Sequence, residues 1–189
     1  MASDKFVSRG GDKLQAAIEN WKLRIGNCVA LDVGSSTGGF VDCLLQNGAA
    51  KVYALDTAYG ELAWKLRNDP RVVVMERTNI LYLESLPEVV DLITIDASWT
   101  KLELVLPIIK TFLKPNGLII ALLKPHYETE KNNLVKGVVK PELVEKIKDE
   151  VVKKIQGLGF KMEGEMESPV LGSGGKGNRE YLLKITLGK

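Results

Sequence analysis

An α/β fold with a mostly parallel sheet and crossover helices is what this 189-residue chain points to. Three observations carry that reading. Short apolar runs alternate with helical segments from Cys28 onward, as βαβ units do. A glycine-rich turn, GSSTGG, joins the first run to the helix behind it. At the C-terminal end two strand-like segments follow each other with no helix between, as an antiparallel pair would. At about 150 residues per domain, the length fits one domain over 1–189. Residues 1–23 make an N-terminal segment and helix, and 28–189 make the core.

Residues 11–22 read as a helix with Leu14, Ala17, Ile18 and Trp21 on one face. CVALDV (28–33) is the first buried strand, and GGFVDCLLQNG (38–48) a helix that Gly48 ends. KVYALD (51–56) is the second strand. ELAWKLRND (61–69) is a helix that Pro70 stops. RVVVMER (71–77) and VDLITID (90–96) are the third and fourth strands. Helix 101–113 places Leu102, Val105, Ile109 and Phe112 at helical spacing, and NGLIIALLK (116–124) is the fifth strand. The polar stretch 125–139 reads as a long loop. Pro141 opens a helix over 141–156 with Leu143, Ile147, Val151 and Ile155 on one face. FKMEGEM (160–166) alternates like an exposed strand, 168–179 is a glycine-rich loop, and EYLLKITL (180–187) is the last strand.

Composition narrows the function classes. Lysines and arginines total 26 against 24 acids, a net charge of +2, so the chain is no polycationic tail. No apolar run reaches the roughly 18 residues of a spanning helix, and the N-terminus lacks an apolar signal core. Cys28 and Cys43 then read as reduced thiols of a cytoplasmic protein. His126, the single histidine, leaves no two-histidine metal site, and no metal is expected. A monomer is the favoured oligomeric state.

The turn LDVGSSTGGF (31–40) is the first candidate site. Gly34 permits a sharp turn, and Gly38 and Gly39 permit close backbone approach. Ser36 stands where a dinucleotide fingerprint has its second glycine, which argues against NAD. Asp32 beside the turn disfavours a pyrophosphate and favours a ligand with an ammonium group. Asp56, about twenty residues on, can accept both hydroxyls of a ribose. Together these suit S-adenosylmethionine. The plainer alternative is that Asp32 and Asp56 only cap backbone amides and the glycines only pack. Asp32, Asp56, Asn79 and Asp96 all lie at strand ends and point by register to one crevice, with Asn79 equally readable as a turn residue.

Lys124 closes the apolar strand LIIALL, where an ammonium is partly desolvated and a neutral amine becomes available as a general base. Asp96 on the neighbouring strand end can orient it. Trp99 reads as a core residue at helix entry, with base stacking as its alternative. Arg9, Lys136, Lys140, Lys176 and Arg179 read as solvated surface, with phosphate contact as theirs.

FVSRGGDKL (6–14), ALDVGSSTGGFVDCLL (30–45), residues 51–79, DLITIDAS (91–98) and LLKPHYE (122–128) closely resemble the haemolysin A-type (TlyA) branch of the FtsJ-like RNA 2′-O-methyltransferases. The resemblance runs from Phe6 to the last strand. It implies a class I S-adenosylmethionine-dependent methyltransferase fold, Rossmann-like, with a seven-stranded sheet and an antiparallel C-terminal hairpin. It also implies an active-site set that matches Lys13, Asp96, Lys124 and Glu180. Cofactor contacts are then expected from Asp32, Gly34, Ser35, Ser36, Thr37, Gly38, Gly39, Asp56, Thr57, Thr78, Asn79 and Asp96. The partner would be RNA, ribosomal RNA or ribosomal subunits in particular, and no membrane. Such proteins usually open with a small S4-like RNA-binding domain, whereas this chain starts at the SRGG motif. It is read either as a shortened form or as a protein that binds RNA without that domain.

Other chemistries fit less well. An exocyclic-amine methyltransferase would carry a Pro-Pro-aromatic turn after the fourth strand, where this chain has DASW. A pyrimidine C5 enzyme needs a nucleophilic cysteine, and neither Cys28 nor Cys43 closes a strand at the crevice. A nicotinamide oxidoreductase would want the missing fingerprint. A catalytically weak RNA-binding, ribosome-assembly or haemolysin-like module of the same fold is the alternative that keeps the fold. No spanning helix or barrel pattern supports a pore.

Overall fold

The computed structural model describes residues 5–170 and 177–188. Its sheet is built from β1 (Val29–Val33), β2 (Lys51–Leu55), β3 (Val72–Met75), β4 (Val90–Ile95), β5 (Leu113–Leu123), β8 (Phe160–Glu167) and β9 (Tyr181–Leu187). The order is β3-β2-β1-β4-β5-β9-β8. The first five strands run parallel, and β9 lies antiparallel to both β5 and β8. This is the expected seven-stranded class I methyltransferase sheet.

Because side chains alternate along a strand, each buried strand feeds two cores. Leu31, Val33, Ile93, Ile95, Ile119 and Leu123 face α4 (Leu102–Ile109) and α6 (Val144–Gly157). Ala30, Val52, Ala54, Leu92, Ile120 and Leu122 face α1 (Gly10–Trp21) and α2 (Gly39–Gln46). On that second face α1 and α2 approach each other closely at their starts. A Cβ on Gly39 would lie 2.8 Å from the Gly11 nitrogen, so the two helix starts touch through glycine.

The structure revises several expected elements. The helix expected over 61–69 shrinks to α3 (Trp64–Arg67), because Ala63 is extended and its N–H goes to the Thr37 carbonyl. The fifth strand starts earlier, at Leu113, which pairs with Val90 ahead of a register shift. The stretch 125–139 is structured. It holds α5 (Pro125–Glu128) and a hairpin of β6 (Leu134–Val135) and β7 (Val138–Val139). Lys136 and Gly137 both take positive φ there, the two-residue turn geometry. Buried Asn178 pins the hairpin, accepting from the Val139 N–H and donating to the Gly137 carbonyl. Helix 141–156 begins with one 3₁₀ turn, Pro141–Leu143. Among the described residues, no helix is long and apolar enough to cross a membrane.

Candidate active site

The chain runs β1, β2, β3 in one direction across the sheet and returns to place β4 on the other side of β1. Ligands of open α/β sheets sit at such a reversal, beyond the carboxyl ends of the strands. Here that place is a trough in two compartments, each of about 280 Å³. Gly34, Ser36, Asp96 and Ser98 line both. The first compartment also has Ser8, Arg9, Lys13, Ser35, Thr37, Gly39 and Lys124 on its walls. The second has Asp56, Thr57, Glu61, Asn79 and Trp99.

Gly34 is required where the compartments meet. Its φ is +87°, and a Cβ would lie 2.8 Å from the Asp96 carbonyl oxygen. The turn is fixed by the Gly34 and Ser35 N–H groups, which both donate to the Leu55 carbonyl. Asp56 accepts from the Ser36 N–H at 2.7 Å and the Ala58 N–H at 2.8 Å. It therefore does cap backbone amides, yet each carboxylate oxygen keeps a lone pair toward the trough for a hydroxyl donor. Asn79 likewise has both roles, accepting from the Leu81 N–H while lining the second compartment.

Two ion pairs stand at the first compartment. Lys124 Nζ lies 2.5 Å from Asp96 Oδ1, with the side chains 10% and 20% exposed. Ser98 Oγ is 3.4 Å from the same ammonium. Lys13 Nζ lies 2.5 Å from Glu180 Oε2, with side chains 8% and 2% exposed. Lys13 comes from α1 and Glu180 from the residue ahead of β9, 167 positions apart. All four expected residues thus meet at one end of the sheet. His126, two residues past Lys124, is held below the ordinary histidine range by burial and by the Lys124 and Lys13 charges.

Three residues expected at the ligand do not line the trough. Asp32 is fully buried on the α1–α2 face, where Thr94 Oγ1 donates to its Oδ1 at 2.5 Å. Burial pushes its carboxyl up to about 7, and Oδ2 has no hydrogen-bond partner among the described residues. Its effect on an ammonium is at most indirect. Gly38 faces inward, where a Cβ would run into the Leu62 and Leu66 side chains. Thr78 spends its hydroxyl on the Glu76 carbonyl.

Trp99, expected in the core, is 84% exposed and takes a φ of +68°. Arg9 is exposed and lines the first compartment. Lys136 is exposed at the hairpin turn and Lys140 half-buried. Arg179 is engaged by Glu167 at 2.6 Å and Glu145 at 3.2 Å. Lys176 lies outside the described residues. Cys28 and Cys43 are free thiols, and burial pushes Cys43 up to about 12. Ser8, Gly10 and Ser98 were missed as wall residues. The paired glycines of SRGG and TGG were the signal, since two such pairs permit two backbones to approach. Among the described residues, no cluster of three or more His, Cys, Asp or Glu could hold a metal.

The trough can therefore hold a ligand with a vicinal diol at Asp56 and a reacting end at Lys124 and Asp96. The FtsJ-like methyltransferase family model matches residues 6–186. The 16S/23S rRNA (cytidine-2′-O)-methyltransferase TlyA of Mycobacterium tuberculosis is 42% identical over 182 residues, covering 94% of this chain and 67% of that protein. YqxC of Bacillus subtilis, named as a candidate rRNA methyltransferase, is 41% identical over 192 residues, covering 96% and 66%. The chain spans about two thirds of the length of these curated relatives. A crystal structure of a candidate hemolysin from Lactococcus lactis superposes with a TM-score of 0.91 at 40% identity, covering 97% of this chain and 89% of that one. With its sheet order, its glycine turn and a match from residue 6 to residue 186, the chain belongs to the FtsJ-like methyltransferase family.

Proposed function

We propose that this protein methylates a ribose 2′-hydroxyl of ribosomal RNA in the cytoplasm, with S-adenosylmethionine as donor. The observation that carries the reading is the Lys124–Asp96 pair on the wall of the first compartment, with Asp96 shared with the second. S-adenosylmethionine, when bound, supplies a methyl group already activated on a sulfonium. The protein's task is then to position the hydroxyl and remove its proton.

Asp56 and the Gly34–Gly39 turn fit the donor. The carboxylate has lone pairs for two ribose hydroxyls, and the missing Cβ at Gly34 lets the turn pack against the Asp96 backbone, where Gly34 lines both compartments. Lys124 Nζ, as the neutral amine, accepts the proton of the 2′-hydroxyl while the oxygen gains the methyl. Asp96 holds that nitrogen in place and stabilises the ammonium it becomes. Lys13, fixed by Glu180, supplies a second cation on the wall of the same compartment to orient the ribose and its phosphate. Trp99 offers an open aromatic face for the nucleobase, which stacks on such faces with little dependence on sequence.

The test is to map ribose methyl groups by mass spectrometry on ribosomes from cells with and without the gene, then to methylate the unmodified subunits with the purified protein. One or more 2′-O-methyl groups lost in the cell and restored in vitro is the expected result. Unchanged ribosomes, or a restored methyl on a base, would overturn the reading.

A further inference from the structure

The motif LLKPHYE ends in residues that the proposed reaction does not use. Pro125, buried, turns the chain into α5 directly after Lys124, and α5 then reaches back to the loop between β4 and α4. It touches that loop twice. The Tyr127 ring centroid lies 5.0 Å from that of Trp99, at an interplanar angle of 42°. Glu128 Oε1 accepts from the Leu102 N–H at 2.9 Å. Leu102 is the first residue of α4, and Lys101 before it gives no side-chain cap. Glu128 thus replaces the missing cap from 26 residues away, with a charge that also suits the positive end of the helix. Burial pushes its carboxyl above the ordinary range while the Leu102 N–H pulls the other way.

The loop needs such holding. Trp99 sits at φ +68°, a region costly for a side chain of its size, and with 84% exposure it has little burial to hold it there. The same loop carries Ser98, 3.4 Å from Lys124 Nζ, and that ammonium lies 5.8 Å from the Tyr127 centroid. One four-residue helix therefore connects the reacting amine, the exposed indole and the start of α4.

We infer that Glu128, seconded by Tyr127, is a positioning residue: it fixes loop 97–101 so that Trp99 stands at a set place relative to Lys124. The inference rests on the proposed function, in which Trp99 receives the nucleobase. A plain helix cap would stabilise α4 without acting through Trp99.

The two are separated by steady-state methylation of unmodified ribosomal subunits at saturating cofactor, with Glu128→Ala and Glu128→Gln in the parent and in Trp99→Ala. Glu128→Ala raises KM for the subunits roughly tenfold, with kcat changed by less than about threefold. Glu128→Gln stays within about twofold, because its amide oxygen still accepts from Leu102. In the Trp99→Ala chain the Glu128→Ala change adds less than about twofold, since the two residues act as one unit. A second readout needs no catalysis. In a chain with Trp21→Phe and Trp64→Phe, time-resolved anisotropy reports Trp99 alone. Its local motion increases with Glu128→Ala and returns to the parent's with Glu128→Gln. Additive effects with Trp99→Ala, failure of Glu128→Gln to restore KM, or unchanged Trp99 motion would overturn the inference. If the parent methylates no subunit, the proposed function fails while the anisotropy still decides the tether.

Discussion

The pairs Lys13–Glu180 and Lys124–Asp96 have the same chemistry and the same 2.5 Å spacing, yet they occupy different environments. In the first, only Lys13 reaches a compartment wall, and Glu180, 2% exposed, lines neither compartment. It joins α1 to the start of β9 and keeps the α1 end against the trough. The second joins the ends of adjacent parallel strands and faces the trough with both partners. A buried pair is costly to break, because the survivor is left charged and dry. A pair at a cleft wall is cheap to break but can exchange a proton with a ligand. We propose that the second pair carries the proton transfer while the first holds the Lys13 cation in place through a buried carboxylate, and single substitutions should separate them.

Lys124→Ala has the largest expected effect. Removing a general base costs about 10²- to 10⁴-fold in kcat, while unfolding in denaturant stays near the parent's. Glu180→Ala shifts the loss toward stability: it leaves Lys13 buried and unpaired and should lower unfolding stability by roughly 3–5 kcal/mol, with a smaller loss of activity than Lys124→Ala. The double variant Lys13→Met, Glu180→Leu should regain most of that stability while losing further activity with the Lys13 cation. Equal stability losses for Glu180→Ala and Asp96→Ala would break the comparison.

Asp32 sharpens it, as a buried carboxylate with no lysine. Its carboxyl, raised to about 7, keeps in the native state a proton that the unfolded chain releases near the ordinary value of 3.8. The native state binds more protons across that window, so this group makes stability fall as pH rises from about 4 to about 7. The parent should lose up to about 4 kcal/mol relative to Asp32→Asn over that range in urea unfolding. Parallel pH profiles for the two would remove Asp32 from the account. The smallest effect is at the far end of the trough. Asp56→Ala should weaken S-adenosylmethionine binding about tenfold by calorimetry, and an unchanged affinity would sink its assignment.

The sheet was legible because apolar runs and helical spacing survive in the sequence wherever both faces of a strand are buried. Lys124 and Asp96 were legible for the same reason, each closing such a run. Other features depend on contacts that no local pattern carries. Glu180 meets Lys13 across 167 residues, and only the family resemblance paired them with the site. Asp32 sits one residue from the turn, but the alternation of faces buries it beside Thr94 instead of opening it to the ligand. Trp99 sits just ahead of an amphipathic helix and so reads as core, whereas it stands exposed at a positive φ. The helix expected over 61–69 keeps only Trp64–Arg67, because Ala63 stays extended and gives its N–H to the Thr37 carbonyl, a contact no local pattern carries.

The central claim is that Lys124 takes the proton from the 2′-oxygen. Single-turnover methyl transfer by Lys124→Arg, with the enzyme saturated in S-adenosylmethionine, tests it most directly. A guanidinium keeps the positive charge beside Asp96 but does not give up its proton at any working pH. Lys124→Arg should bind the donor as the parent does and transfer almost nothing, as Lys124→Ala does. Transfer at the parent's rate by the arginine variant would contradict it and leave the reaction to positioning alone.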